Sequence, residues 1–359
     1  MLFYLWSWLP GIKKALWHLA STAFGFLSQP ISLFIKNDSF ARTKPDLDSN
    51  TPSDRPSATS ICETYTVRPQ PQHDLEIVGF GASGQVYDVY NQVVLKARRI
   101  FEPPRSDASQ SDRWHYASDT IFHYNLLQDE RTVLQLLQDR PHPHIMEAVD
   151  TDQPEGIYLR KYQPLSPDMT AAQSDRIRLY CDITDALRHL HSLGIVHADL
   201  RSDNILSDEQ GSAILSDFSA ASPCGEKNLV FPDLPLPING PFPTLSAASD
   251  MFAMASLMFQ MEHGAAPELL FEKGSLVLPG IRSGNQGIDQ VVQKAWLGHY
   301  DHTSEMLQDL TSVRGQTSQL PEGIRSCPDL GNSFKDQIKE WRSNRESKFG
   351  KIFEDIFTF

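Results

Sequence analysis

Apolar positions along this chain are spaced in two ways. Between residues 75 and 98 they recur at strand-like intervals: Leu75, Ile77 and Val78, then Val86, Tyr87 and Val89, then the run QVVLKARR. Gly79, Gly81 and Gly84 separate the first two runs. The pattern predicts three strands, the first two joined across a glycine-containing turn. Farther along the interval lengthens. Leu127, Val133, Leu134 and Leu137 fall near i+3 and i+4 spacing, as do Leu179, Ile183, Ala186, Leu187 and Leu190 within residues 174–193. Both stretches predict amphipathic helices. Near residue 210 the string SDEQG separates two short apolar runs and predicts a hairpin.

Both ends depart from this globular pattern. Residues 1–36 are apolar and aromatic, with Trp6, Trp8 and Trp17 among many Leu and Phe; residues 37–62 are rich in Asp, Ser, Thr and Pro and predict a disordered tether. Globular periodicity runs from about residue 63 to 315, and the tail 316–359 holds a charged stretch expected to be helical, with Ile338, Trp341 and Phe349 on it. From Ala15 to Ile35 no residue is charged, a length near the roughly 20 residues that span a bilayer. His18, Gln29 and Pro30 dilute that run. Three readings are open: a spanning helix, a helix lying in the interface, and a packed segment or leader with no membrane role. No basic residue precedes the earliest apolar run, which argues against a secretory signal.

Net charge is −13 overall and +3 within residues 1–36, leaving −16 for the remainder. Such an acidic body argues against a nucleic-acid surface. Cys62, Cys181, Cys224 and Cys327 are far apart and form no C-x-x-C pair, which fits buried thiols in a reducing compartment.

The chemistry concentrates in VHADLRSDNIL (Val196 to Leu206) and in LSDFSAA around Asp217. Asp199 is followed five residues later by Asn204, and Asp217 comes after the expected hairpin. That spacing is how phosphoryl-transfer enzymes set a carboxylate beside the attacking hydroxyl and two oxygen ligands on Mg²⁺. The segment resembles the catalytic and metal loops of protein kinases, H-R-D-L-x-x-x-N and D-F-G, with Ala198 in place of the Arg and Ser219 in place of the Gly. The resemblance implies an α+β, bilobal fold: a small β-rich N-lobe (63–158) with one main helix, a hinge (159–164) and a larger helical C-lobe (165–315). It also implies ATP and Mg²⁺ as cofactors, a protein hydroxyl as acceptor and a cytoplasmic location; whether residues 1–36 add membrane association is left open by the three readings of that segment.

Residue by residue, the likeness makes Asp199 the base, Arg201 the cation that neutralises the transferring phosphoryl group, and Asn204 and Asp217 the metal ligands. Gly79, Gly81, Gly84 and Val86 would cover the nucleotide. On its own the glycine string is also compatible with a Rossmann turn or a plain hairpin; strands on both sides favour a phosphate-covering hairpin. Lys96, a cation among apolar neighbours, would hold the phosphates and pair with a helix acid, for which Glu130 is the candidate and Asp129 its competitor. Asp250 in AASDMFAMASL would support the catalytic-loop backbone, and Trp296 would sit in the C-lobe core. His142, His144, His189 and His191 invite a metal reading, but no spacing completes a site.

Departures from the family pattern keep rivals open. No A-P-E triplet precedes residue 247, no Arg stands near His302, and Arg160 falls where an apolar residue usually backs the nucleotide pocket. A weak or inactive pseudokinase scaffold is one rival. A small-molecule kinase of the aminoglycoside or choline type, whose loop HADLRSDNIL also resembles, is the other.

Overall fold

The structure, a computed structural model, describes residues 74–81, 83–90, 92–228, 240–272, 275–317 and 331–350. The apolar head, the tether and the stretch 229–239 lie outside the described residues. Among the described residues no helix is long and apolar enough to cross a membrane.

The N-lobe is an antiparallel sheet of β1 (Ile77–Phe80), β2 (Gly84–Tyr90), β3 (Val93–Arg98), β4 (Ala148–Asp150) and β5 (Gly156–Arg160), in the order β1-β2-β3-β5-β4. Side chains alternate across a strand, and here each face has its own core. Val94, Ile157 and Leu159 point inward, joining Leu127 and Leu134 and the main core of the molecule. Tyr87, Val93, Leu95, Ala97 and Tyr158 point outward and form a second core. This explains why VVLKA reads as a nearly continuous apolar run instead of an alternating one: both faces are covered.

Between β3 and β4 runs α1 (Gln110–Asp139). It begins well before the apolar periodicity, which starts only at Leu127. Its first turns present Trp114, Ile121 and Phe122 outward, so no core-facing stripe marks them. Ser109 and Asp112 form a reciprocal capping box at its start, a local signal at i and i+3.

The C-lobe is built on α2 (Gln173–Ser192), α3 (Ala247–His263), α4 (Gln286–Trp296) and α5 (Thr303–Thr317). Eleven consecutive residues of α3, Ser249 to Phe259, are buried. A helix apolar on every side belongs at the centre of a lobe, and α2, α4 and α5 pack around it. Ser256 on α3 accepts the indole N–H of Trp296 at 3.0 Å, so that ring is both buried and satisfied. Short strand pairs frame the catalytic segment: β6 (Gln163–Pro164), β8 (Ile205–Ser207) and β9 (Ala213–Leu215) in one sheet, β7 (Ile195–Val196) with β10 (Ser222–Pro223) in another. A further hairpin, β11 (Leu270–Glu272) with β12 (Ser275–Val277), follows α3.

The tail residues Gly331–Phe349 form α6. It lies on the outward face of the N-lobe sheet, with Phe334 and Ile338 in the second core and Trp341 packed against it. Burying two such side chains contributes about 1.5–3 kcal/mol each. Phe349 stays exposed.

Candidate active site

Three elements converge on Lys96. β3 carries it on the inward face, opposite Val86 of β2 and Ile157 of β5. Its Nζ donates to Glu130 Oε1 of α1 at 2.7 Å and to Asp217 Oδ1 at 2.8 Å. Glu130, not Asp129, is the helix acid that meets it. The same Oε1 accepts the N–H of Phe218 at 3.3 Å, so Glu130 ties α1 to the loop that carries Asp217.

Burial alone would lower the pKa of Lys96, yet Asp217 and Glu130 outweigh it and hold the ammonium well above its usual range. Two carboxylates share this one cation. Burial pushes Glu130, the deeper, above the ordinary glutamate value. Burial would also raise Asp217, but the Lys96 ammonium prevails and holds it below the usual carboxylate range.

The glycine hairpin closes onto this pair. A Cβ at Gly81 would lie 3.3 Å from Asp217 Oδ2 and 3.5 Å from Lys96 Nζ, and one at Gly84 would lie 2.1 Å from the Ala97 carbonyl oxygen. The approach at Gly84 is closed to any side chain. Gly79 is under no such constraint, since its nearest neighbour would be Val86 at 3.7 Å. Two residues hold the hairpin down: Ser83 donates to Glu130 Oε2 at 2.6 Å, and Arg99 Nη2 donates to the Gly81 carbonyl at 2.7 Å.

Below the cleft, Asp250 of α3 organises the catalytic loop. It accepts the N–H of His197 at 2.8 Å, the N–H of Ala198 at 3.0 Å and the Nε2 of His191 at 2.9 Å. Burial would raise its pKa, and these donors instead hold it below the usual range. The His197 ring has Nε2 on the Ser216 carbonyl and Nδ1 on the N–H of Asp199. A carbonyl only accepts, so Nε2 is the donor to Ser216. Asn204 Nδ2 donates to the Asp199 carbonyl at 2.8 Å and to Asp199 Oδ2 at 2.9 Å. Arg201 Nε lies 3.6 Å from the same Oδ2. Asp199 Oδ1 is buried with no partner in the fold. Burial raises Asp199 above the ordinary aspartate value, against the pull of Arg201, His197 and Asn204.

Residues 72–230 match the family described as the protein kinase domain. The chain carries a domain of the eukaryotic protein kinase-like family. Similar curated proteins include ribosomal protein S6 kinase 2 beta of Xenopus laevis, 28% identical over 71% of this chain and 40% of that protein. CBL-interacting protein kinase 22 of Oryza sativa is 25% identical over 56% of this chain and 49% of that protein. Serine/threonine-protein kinase PKH3 of Eremothecium gossypii is 25% identical over 38% of this chain and 22% of that protein. The chain thus spans a fifth to a half of the length of these relatives.

Several sequence expectations about the kinase domain gain a physical reading. Arg160 does not lie on the inward face of the sheet. The β3–β5 register sets Leu159 opposite Val94 on the inward face, while Arg160 is turned to Glu147 and the Tyr162 ring. Ser219 replaces a glycine without strain: among the described non-glycine residues positive φ falls only on Ala198 and Asp217. Ala198 packs with Val196, Ala220 and Leu245 in a small apolar cluster, which fills the place of the family's arginine. The four histidines have ordinary structural partners. His142 stacks on His189 and faces Asp185, and His144 bonds the Ala213 carbonyl. His189 bonds the Arg140 carbonyl, while His191 bridges Asp250 and Thr303. Sequence reasoning missed Ser83, Arg99 and Thr303. Only Ser83 had an available signal, its place inside the glycine string.

Proposed function

We propose that this domain is an ATP- and Mg²⁺-dependent phosphotransferase that moves the γ-phosphoryl group of ATP to a protein hydroxyl. The observation that carries the reading is the Lys96–Glu130–Asp217 junction beneath the glycine hairpin, with Asp199 and Asn204 held beside it. The donors fit a hard cation: both bonds of Asn204 use its amide nitrogen and leave the oxygen uncommitted, and Asp217 is ionised. Mg²⁺ held there by Asn204 and Asp217 would offset phosphate charge.

The chain's own residues supply the rest. Lys96 orients the phosphates, and Glu130 keeps Lys96 in place. Asp199, with an orphaned carboxylate oxygen aimed at no protein donor, accepts the hydrogen bond of the incoming hydroxyl and takes its proton as the new O–P bond forms and ADP leaves. A raised pKa makes it a somewhat better base, although positioning dominates in a loose transition state. Arg201 lies where it can meet the charge on the moving group. That the Eremothecium gossypii relative is a serine/threonine-protein kinase favours serine or threonine as acceptor. Incubation with Mg²⁺, labelled ATP and casein tests the reading. Label transfer that is lost in Lys96→Ala supports it, and nucleotide binding without transfer would favour a scaffold.

A further inference from the structure

The tail helix α6 does more than cover apolar surface. It grips the N-lobe sheet near both edges. At one, Arg345 Nη2 donates to Asp74 Oδ1 at 2.8 Å, just before β1 and the glycine hairpin. At the other, Arg342 makes a two-pronged pair with Glu155, its Nη2 at 3.0 Å from Oε2. Between these points Trp341 meets Tyr158 edge to face at 6.3 Å.

Glu155 sits in the β4–β5 turn, and that turn is also held from the inward side by α1. Arg131 Nη1 donates to the carbonyls of Thr151 and Gln153 at 2.7 and 2.8 Å, and its Nη2 donates to that of Gly156 at 3.2 Å. Gln138 adds a second tie, donating to the Ala148 carbonyl at 2.8 Å while accepting from Thr151 Oγ1 at 3.0 Å. Gln153 and the Asp152 amide both bond Asp150, so the turn is braced internally. Arg131 is the neighbour of Glu130. The turn is therefore clamped between α6 on one side and the helix that presents the Lys96 partner on the other. Gly156 lets it approach closely: a Cβ there would lie 2.4 Å from the Lys96 carbonyl oxygen.

We propose that α6 is a positioning strap for the phosphotransfer site: Arg342, acting through Glu155 and the turn that Arg131 clamps, sets the position of Glu130 and thereby of Lys96. The strap's role in turnover rests on the phosphotransferase reading above. Its mechanical part does not, and the test separates the two.

The test uses the full-length chain and three variants. Arg342→Ala breaks the pair, Arg342→Lys keeps one charged contact, and Lys339→Ala changes an exposed residue of the same helix. Hydrogen exchange is followed in α1, in residues 151–156 and in β2–β3, alongside kcat and KM for ATP with casein as acceptor. In Arg342→Ala, exchange rises in α1 and in the turn but stays at wild-type levels in β2–β3. kcat falls about two- to thirtyfold, the range expected along a packed coupling path. Arg342→Lys recovers part of both effects, and Lys339→Ala shows neither. Unchanged exchange in α1, or a uniform rise across the whole sheet, overturns the strap and leaves α6 a cover only. A chain with no turnover in any form but with the local exchange pattern keeps the strap and removes the phosphotransferase reading.

Discussion

Asp250→Asn replaces an acceptor-only carboxylate with an isosteric amide at a site where every partner is a donor. The amides of His197 and Ala198 and the His191 ring all point at this side chain, which is 1% exposed. The Asn can offer one oxygen; its NH₂ must then face an N–H. At least one charge-assisted bond is lost, worth about 1.5–3 kcal/mol, and removing a buried partner charge typically costs about 3–5 kcal/mol. A loss near 3 kcal/mol lowers Tm by about 6–12 °C for a domain of this size. The pH dependence has a definite sign. The folded pKa of Asp250 lies below its ordinary value of 3.8, so its stabilisation is complete above that value and fades as pH falls through the folded pKa. The gap between wild type and Asp250→Asn is therefore full at neutral pH and narrows only in acid. Thermal unfolding followed by circular dichroism from pH 7 to pH 3 measures it. A Tm change below about 2 °C at pH 7, under 1 kcal/mol, would show that Asp250 does not hold the catalytic loop.

Three further outcomes are expected. Asp199→Asn keeps the shape of the site and removes the acceptor charge, so turnover falls by at least about 10²-fold with ATP affinity nearly retained; parallel loss of affinity and of the unfolding transition would instead mean a structural role. Phosphatase treatment leaves turnover unchanged, because Ala198 in its apolar cluster offers no cation for a phosphorylated loop; a large drop contradicts this. Deletion of residues 1–36 releases the chain from cell membranes, given the contrast between a Trp-rich +3 head and a −16 remainder. Full-length chain that fractionates as the deletion does would refute the anchor.

How legible this was depended on how locally each feature is encoded. Asp199, Asn204 and Asp217 sit on one loop–hairpin–loop segment, so their spacing alone carried the chemistry. Lys96 and Glu130 were readable because each breaks an otherwise apolar pattern. The start of α1 was not, since its first turns face outward and only the Ser109–Asp112 box announces them. Arg160 was misplaced because alternation in a five-residue strand is set by pairing with β3, which a single strand does not display. Ser83, Arg99 and Thr303 act through partners 18 to 112 residues away, and no periodicity reports such contacts. The place of α6 on the outward face was hidden for a related reason. The apolar run of β3 reads only as a strand, and nothing local says which segment covers its outward face.

The central claim is that Lys96, Glu130 and Asp217 form a site for Mg²⁺-ATP. Calorimetric titration of ATP into the full-length chain, with and without Mg²⁺, tests it most directly, run beside Lys96→Ala and Asp217→Ala. The account predicts binding that Mg²⁺ strengthens in the wild type, strong loss in Lys96→Ala, and loss of the Mg²⁺ effect in Asp217→Ala. Equal affinities in all three proteins, or binding indifferent to Mg²⁺ throughout, would contradict it.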